Sequence, residues 1–166
     1  MAHQIVRLQQ MTDYSRGTTV NVGIINGGTR TNVIPDMCEA QVDVRAMTVA
    51  EMDRLHEQVM ALQPVLDGAR LEISGGFDRP PMERNALMIE TFQRAQQIAA
   101  GYGLTLKEAG TGGGSDGNYT AAIGTPTLDG LGPLGDGAHT DREFLYVPSM
   151  ADSATLIAAL MLEWPG

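Results

Sequence analysis

Cysteine is almost absent from this chain of 166 residues, which contains a single one, Cys38. One thiol cannot form an intramolecular disulfide, and its scarcity is typical of a reducing compartment. Cys38 alternates with Ala40, Val42 and Val44, so we interpret it as a small buried apolar side chain. We therefore expect a cytoplasmic protein without disulfides.

Positive charge and long apolar runs are also scarce. The chain has 11 Lys and Arg against 20 Asp and Glu, a net charge of −9. This sign argues against nucleic acid or an anionic membrane as partner. No apolar run approaches the roughly 20 residues of a membrane helix, and the N-terminus lacks the apolar core of a signal peptide. We expect neither nucleic acid nor a membrane among its partners.

Glycine, by contrast, is abundant, at 20 of 166 residues with 43% apolar residues overall. The apolar content predicts a globular chain of one ordinary or two small domains. Glycine serves where the backbone needs positive φ or close approach to a ligand, so its excess favours shaped loops.

The first half of the chain follows the order helix, strand, strand, helix, strand. "MAHQIVRLQQM" has apolar residues at three-residue spacing, whereas "TVNVGI", with Val20, Val22 and Ile24 on one face, and "CEAQVDVRA" alternate. "TVAEMDRLHEQVMAL" opens with a capping-box pattern, and "ARLEIS" predicts a third strand. This is the order of a ferredoxin-like βαββαβ unit without its first strand.

The second half begins after "GGFDRPPMERN", whose Gly and Pro mark a boundary near residues 75–85. "NALMIETFQRAQQIAAGYG" predicts a helix capped by Asn85 and ended by Gly101 or Gly103. "LTLKEA" and "TPTLDGLG" predict strands, "YTAAIG" a short helix, and "SMADSATLIAALMLEW" a closing helix capped by Ser149. Strands that alternate with helices indicate a partly parallel α/β layer.

The loop "TGGGSDGNY" matches two motifs at once. Gly112, Gly114 and Gly117 fit the dinucleotide fingerprint G-x-G-x-x-G, although the helix that follows is short. Gly113, Ser115 and Gly117 fit the nucleophile elbow G-x-S-x-G, without the central apolar strand that an elbow follows. The partners of a serine triad would come next in the chain, as Asp129 or Asp136 and then His139.

A third hypothesis treats the loop as a backbone cradle for a carboxylate or carbonyl, because successive glycines let amides approach an anion. His139 in "GDGAHTDREF" would then be a metal ligand, oriented by Asp136, Asp141 or Glu143. The alternative is a glycine-rich connector that carries an exposed histidine.

Two separated segments resemble one metallohydrolase family. "GTGGGSDGNY" with "GTPTLDGLGPLGDGAHTDREFLYVPSM", and earlier "GGTRTNVIPDMCEAQVDVRA", resemble the family of glutamate carboxypeptidase, acetylornithine deacetylase and aminoacylase. The resemblance covers nearly the whole chain. It implies that residues 1–78 form a lid or dimerisation domain that is incomplete at its N-terminus. It also implies that residues 79–166 form the C-terminal part of an α/β zinc-exopeptidase catalytic domain.

The resemblance also implies site residues. His139 matches the last zinc ligand of a two-zinc site, and Asn32 and Arg45 match lid residues that reach the substrate carboxylate or the reacting carbonyl. The residues that match the loop lining the substrate pocket are Gly112, Gly113, Gly114 and Ser115. Taken without the motif, Arg45 is more simply a surface arginine that pairs with Asp43 or Glu39.

The other zinc ligands and the general base of the family have no counterpart here. An H-x-D motif and a Glu-Glu pair are missing, and His3 and His56 match no such motif, so we interpret His56 as structural. We therefore expect the C-terminal portion of a zinc-dependent amidohydrolase or exopeptidase for a small N-acyl amino acid or dipeptide, homodimeric through its lid and inactive as this chain. The alternatives are a non-catalytic oligomerisation module or truncated paralogue, and a serine hydrolase that uses Ser115.

Overall fold

The computed structural model describes residues 1–164. The chain folds into two compact units, of which the first contains Met1–Glu83 and Gly112–Gly114. The second contains Arg84–Thr111 and the residues from Ser115 onward. The division of the sequence into 1–78 and 79–166 stays a prediction.

The first unit consists of two helices and a hairpin. Its elements are α1 (Ala2–Gln9), a single 3-10 turn (Tyr14–Arg16), β1 (Thr19–Gly27), β2 (Cys38–Arg45) and α2 (Val49–Met60). β1 pairs with β2 in antiparallel fashion. The predicted order of helix, strand, strand and helix is therefore confirmed.

The core of this unit is formed by one apolar side chain from each of three elements. Leu8 of α1, Val20 of β1 and Leu55 of α2 are buried against one another. Val42 and Val44 pack against this cluster from β2. The alternation of the strands and the helical spacing in α1 and α2 place these residues on one side, as the periodicity predicts.

A β-bulge changes the register of the hairpin in the middle of β1. Val22 lies opposite Val42, whereas Ile24 lies opposite Gln41, so Gly23 is the extra residue. The prediction that Ile24 shares the buried face of Val20 and Val22 is wrong, because the bulge interrupts the alternation of side chains after Val22. Ile24 is 49% exposed.

The start of α2 contains a buried ionic cluster. Thr48 Oγ1 accepts a hydrogen bond from the backbone N–H of Glu51 at 3.2 Å, which confirms the predicted cap. The Glu51 carboxylate accepts from Thr18 Oγ1 at 2.7 Å, from Arg54 Nε at 2.8 Å and from Arg16 Nη1 at 3.3 Å. The hydrogen bonds from Arg54 and Thr18 lower the pKa of Glu51 from 4.5 to about 2.

The third strand predicted in the first unit does not form. Residues 71–76 have no strand partner, although Leu71 and Ile73 are half-buried as an alternating segment requires. A strand exists through ladder hydrogen bonds to a neighbour. The hairpin is a two-stranded sheet, and this segment does not pair with it.

The second unit is mainly helical. Its elements are α3 (Ala86–Gly101), α4 (Gly117–Ala122), β3 (Gly135–Asp136), β4 (Phe144–Leu145) and α5 (Ser149–Glu163). The strands predicted at "LTLKEA" and "TPTLDGLG" do not form, again because no partner strand lies beside them in the described chain. Their leucines still pack against the core, as Leu104, Leu106, Leu128 and Leu131.

The core of the second unit is the contact between α3 and α5. Ala95 and Ala99 on α3 and Ala159 on α5 are essentially inaccessible, and Leu156 and Leu160 pack beside them. Small residues at the contact allow the helix axes to approach closely.

The ends of these helices follow the sequence at two of the three predicted positions. Asn85 Oδ1 accepts from the backbone N–H of Met88 at 3.0 Å, and Gly103 has a φ of +73° after α3 ends, as predicted. The predicted cap by Ser149 is wrong. Ser149 is buried as the first residue of α5, where its hydroxyl donates to Tyr146 O and accepts from Leu134 N. It therefore holds the loop before the helix.

The whole is an α+β protein, in agreement with the predicted mixture of helices and strands. Within residues 1–164, no helix has the length and apolar content to cross a bilayer.

The cluster at Glu51 predicts a specific pH dependence of stability. Because the folded-state pKa is depressed, the charged carboxylate stabilises the fold above pH 4.5, and this contribution is lost as the pH falls towards about 2. Glu51→Gln should lower the urea midpoint at neutral pH. The difference in urea midpoint between this variant and the parent protein should become smaller as the pH falls from 4.5 towards about 2. Glu57→Gln, at an exposed position of the same helix, is the control, and its urea midpoint should stay close to that of the parent protein at every pH. An equal decrease of the midpoint in both variants would contradict a stabilising role of the Glu51 cluster.

Candidate functional site

Arg45 stands at the end of β2, opposite Thr19 in the hairpin register. Its side chain is about half exposed. Nε donates to Asp43 Oδ2 at 2.7 Å, so the surface ion pair that the sequence left open is present. Nη1 donates to the carbonyl of Gly112 at 3.2 Å, a residue 67 positions later in the chain. The structure thus brings together two of the predicted site residues.

A second arginine lies against the same glycine loop. A Cβ added at Gly114 would lie 2.8 Å from Nη1 of Arg79, whereas one at Gly112 would lie 3.7 Å from Cδ of Arg45. Both contacts are within the first unit. Arg79 could not be predicted from the sequence, because nothing in "GGFDRPPMERN" connects it to a loop 35 residues away.

Two guanidinium groups thus lie beside the loop, and that of Arg45 is in an ion pair with Asp43. A guanidinium has five N–H groups in a planar fork that suits a carboxylate. In the described chain, the hydrogen bonds of Arg45 use only Nε and Nη1, which leaves Nη2 available. An incoming carboxylate would meet the charge of Asp43 as well, so binding at Arg45 requires that this ion pair open or be shared.

Asn32 lies in the connection between β1 and β2, where it is exposed. Within residues 1–164, its side chain makes no hydrogen bond, and the structure does not bring it to Arg45 through a direct contact. Its role in substrate binding stays a prediction.

At Ser115 the chain returns to the second unit, and this residue organises the turn into α4. Its backbone N–H donates to Asn118 Oδ1 at 2.9 Å, and its hydroxyl oxygen accepts from Gly117 N at 3.1 Å. A serine nucleophile needs a base within hydrogen-bond reach. In the part of the chain that the structure describes, no hydrogen bond joins Ser115 to a histidine, so the elbow hypothesis lacks its base.

His139 lies in the loop between β3 and β4 with an unusual backbone. Its φ is +65°, the sole positive value at a non-glycine residue among residues 1–164. Such a conformation costs energy in an L-residue and is often found at functional positions. The imidazole is exposed.

The predicted acidic partners do not orient the imidazole of His139. Glu143 Oε2 accepts from the backbone N–H of His139 at 3.3 Å, and Asp136 Oδ1 accepts from Gly137 N. No hydrogen bond to the ring nitrogens occurs in the described residues, and Asp141 makes none with this loop. The acids therefore shape the loop backbone.

The described residues do not form a metal site by themselves. No group of three or more His, Cys, Asp or Glu side chains within residues 1–164 is placed to hold an ion. His139 supplies one imidazole donor, whereas a zinc site needs at least three protein ligands.

A concavity of about 430 Å³ in the first unit contains none of the predicted site residues. Its lining includes Arg7, Arg16 and Arg54. Arg16 and Arg54 are already paired with Glu51, and Arg16 also with Asp13. This concavity is thus the outer side of the cluster that holds α2.

Residues 1–63 match the sequence model of a peptidase dimerisation domain. The chain is 25% identical over 163 residues to carboxypeptidase G2 of Pseudomonas sp. (strain RS-16), covering 96% of this chain and 39% of that protein. It is 30% identical over 148 residues to succinyl-diaminopimelate desuccinylase of Thiobacillus denitrificans, covering 86% of this chain and 36% of that one. The chain is thus similar to peptidases of the M20 family. The sequence-based resemblance is therefore confirmed.

A solved structure of this M20 family agrees with the fold. The YxeP protein of Bacillus subtilis, described as a dinuclear metal binding peptidase, superposes with a TM-score of 0.65 at 22% identity. The match covers 96% of this chain and 43% of YxeP. The chain thus spans about two-fifths of the length of the curated relatives it matches.

The contacts of the glycine loop predict opposite effects for two alanine substitutions. Gly112→Ala meets only ordinary contact distances and has a negative φ, so we expect it to stabilise the protein by about 0.4–1 kcal/mol through the unfolded state. Gly114→Ala places a Cβ against the Arg79 side chain. It should be less stable than Gly112→Ala by about 1–2 kcal/mol. Urea denaturation of both variants tests this, and equal midpoints would show that Arg79 does not restrict the loop.

Proposed function

We propose that this chain is part of an M20-type amidohydrolase or exopeptidase that acts on a small N-acyl amino acid or dipeptide. The observation that carries the proposal is the hydrogen bond between Arg45 and the Gly112 carbonyl. It joins the end of the dimerisation-domain hairpin to the loop that resembles the substrate pocket of the family. The similarity to peptidases by itself supports only the broader proposal that the enzyme is a hydrolase.

A substrate carboxylate is the chemical group that fits this place. Arg45 offers unused N–H groups, and Arg79 adds a second positive charge beside Gly114. Charge-assisted hydrogen bonds from a guanidinium to a carboxylate are stronger than neutral ones and fix orientation. The three glycines leave the backbone accessible to a bound carbonyl or carboxylate.

His139 is proposed as one donor to a zinc ion in the working enzyme. Its strained backbone and exposed ring support this role. The described residues do not complete a metal site, so the remaining ligands and the general base would come from polypeptide outside this sequence. We propose that the chain alone does not hydrolyse amides.

A homodimer is the proposed assembly, formed through the first unit. The match of residues 1–63 to a peptidase dimerisation domain supports it. The same match also favours the second candidate function, a non-catalytic oligomerisation module, since a dimerisation domain needs no metal.

Metal retention by the isolated chain tests the incomplete site. We expect less than stoichiometric zinc after dialysis against buffer and no release of the amino acid from N-acyl amino acids, because a single imidazole holds zinc weakly. Stoichiometric zinc that is lost in His139→Ala would contradict the proposal. Labelling of Ser115 by a fluorophosphonate would instead favour a serine hydrolase.

The role of Arg45 is tested in an active enzyme that contains this chain. Arg45→Ala should lower kcat/KM for substrates with a free carboxylate by about 10- to 150-fold, mainly through KM, as expected for a lost charged hydrogen bond of about 1.5–3 kcal/mol. Arg30→Ala, at an exposed position of the neighbouring loop, is the control. An unchanged kcat/KM in Arg45→Ala would refute carboxylate recognition. If no polypeptide restores activity, the oligomerisation module becomes the better explanation.

A further inference from the structure

Three arginines of this acidic chain line the concavity in the first unit. They are Arg7 of α1, Arg16 of the 3-10 turn and Arg54 of α2. Asp13 lies in the same lining, and the carboxylate of Glu51 binds both Arg16 and Arg54. Three positive charges therefore meet two negative ones here, whereas the whole chain has a net charge of −9. The concavity is thus locally cationic.

The oxygen acceptors of two lining side chains are already engaged by the protein. Asp13 Oδ1 accepts from the backbone N–H of Ser15 at 3.0 Å, and Asp13 Oδ2 lies 3.4 Å from Arg16 Nε. Gln58 Oε1 accepts from Arg54 Nη1 at 2.8 Å. The amide nitrogen of Gln58 makes no hydrogen bond within residues 1–164, so this side chain is left with donors and not with its acceptor.

Two of the three guanidinium groups keep donors that the protein does not use. Arg7 Nη1 donates to the carbonyl of Gln63 at 3.1 Å, and in the described chain no hydrogen bond uses Arg7 Nε or Nη2. Arg16 lies 3.3 Å from Glu51 Oε2 and 3.4 Å from Asp13 Oδ2. Both distances exceed the about 2.7–2.9 Å of a strong charge-assisted hydrogen bond. The Arg16 side chain is 59% exposed, so its guanidinium is held loosely and can reach a further partner.

A ligand that suits this concavity has negative charge and several acceptor oxygens. A phosphate group has both, since it is largely a dianion at neutral pH and offers three strong acceptors. Arginine forks bind phosphate through paired hydrogen bonds. The volume of about 430 Å³ lies within the range of small-molecule sites, about 300–1,000 Å³. It therefore accommodates a phosphate group that carries a small organic substituent.

We propose that this concavity binds a phosphate group, either inorganic phosphate or that of a small monoester, through Arg7, Arg16 and the amide nitrogen of Gln58. Arg54 keeps the Glu51 carboxylate in place, because its Nε donates to it at 2.8 Å. Arg16 would be shared between this carboxylate and the phosphate. The site contains none of the residues proposed for the reaction, so it is independent of the proposed function.

Calorimetric titration of the purified chain with inorganic phosphate tests this proposal. The titration is carried out at about pH 8, where phosphate is mainly a dianion. Chloride keeps the ionic strength constant, so that the screening of surface charges does not change. We expect saturable binding of one phosphate per chain with millimolar or tighter affinity. The absence of saturable binding would overturn the proposal.

Two further ligands distinguish the chemistry of the site. Glycerol phosphate that binds more tightly than inorganic phosphate would support a monoester as the ligand, whereas equal or weaker binding would support inorganic phosphate. Acetate at the same ionic strength is the control, because it is an anion with a single charge and two oxygens. Acetate that binds as tightly as phosphate would overturn the assignment to a phosphate group.

Substitution of the arginines locates the site. Arg7→Gln and Arg16→Gln should each weaken phosphate binding by at least about tenfold, as expected for a lost charge-assisted hydrogen bond. Arg30→Gln removes the same charge from an exposed position of the first unit outside the concavity, and it should bind phosphate as the parent protein does. Circular dichroism verifies that all three variants are folded.

Arg7→Gln keeps this test separate from the stability of α2. No hydrogen bond joins Arg7 to Glu51 in the part of the chain that the structure describes, so this variant leaves the buried ionic cluster intact. Unchanged affinity in Arg7→Gln or in Arg16→Gln would overturn the proposal. Equal weakening in Arg30→Gln would also overturn it, because the attraction would then come from the overall charge and not from this concavity.

Discussion

The carboxylate of Glu51 ties α2 to the base of the hairpin through Thr18, and its own helix holds it through Arg54. Thr18 precedes Thr19, and Thr19 lies opposite Arg45 in the register. The buried ionic cluster therefore fixes the strand end from which Arg45 reaches Gly112. A charge inside a unit is tolerable only when several donors satisfy it. Here the donors come from the 3-10 turn, from Thr18 just before β1 and from α2.

The glycine loop shows why residue type matters on both sides of a contact. Gly114 allows Arg79 to lie where a Cβ would otherwise stand, and Arg45 reaches the carbonyl two residues earlier. These contacts place two arginines beside the loop, whereas the sequence motif alone was also compatible with a nucleotide loop and a serine elbow. The hydroxyl of Ser115 is engaged by Gly117, which is a structural role in the turn.

The accuracy of the sequence-based predictions depended on the range of the interactions involved. The caps by Thr48 and Asn85 were correct, because a cap forms within one helical turn. The bulge at Gly23 and the burial of Ser149 were not predicted, since each depends on a partner distant in sequence. The strands predicted near residues 73, 106 and 128 do not form for the same reason. Their alternating apolar residues are partly buried as predicted, but no neighbouring strand in the described chain hydrogen-bonds to them.

The sequence by itself determined the resemblance to M20 peptidases, the helices with the caps by Thr48 and Asn85, the hairpin and the identity of His139 as the lone histidine in a glycine-rich loop. These follow from local spacing and from motifs that a single chain carries. Only the tertiary structure decided that Arg45 reaches Gly112, that Arg79 lies against Gly114, and that three arginines of the first unit line one concavity. Contacts between residues far apart in the chain cannot be predicted from local residue spacing, because they form only when separate elements pack their apolar sides together.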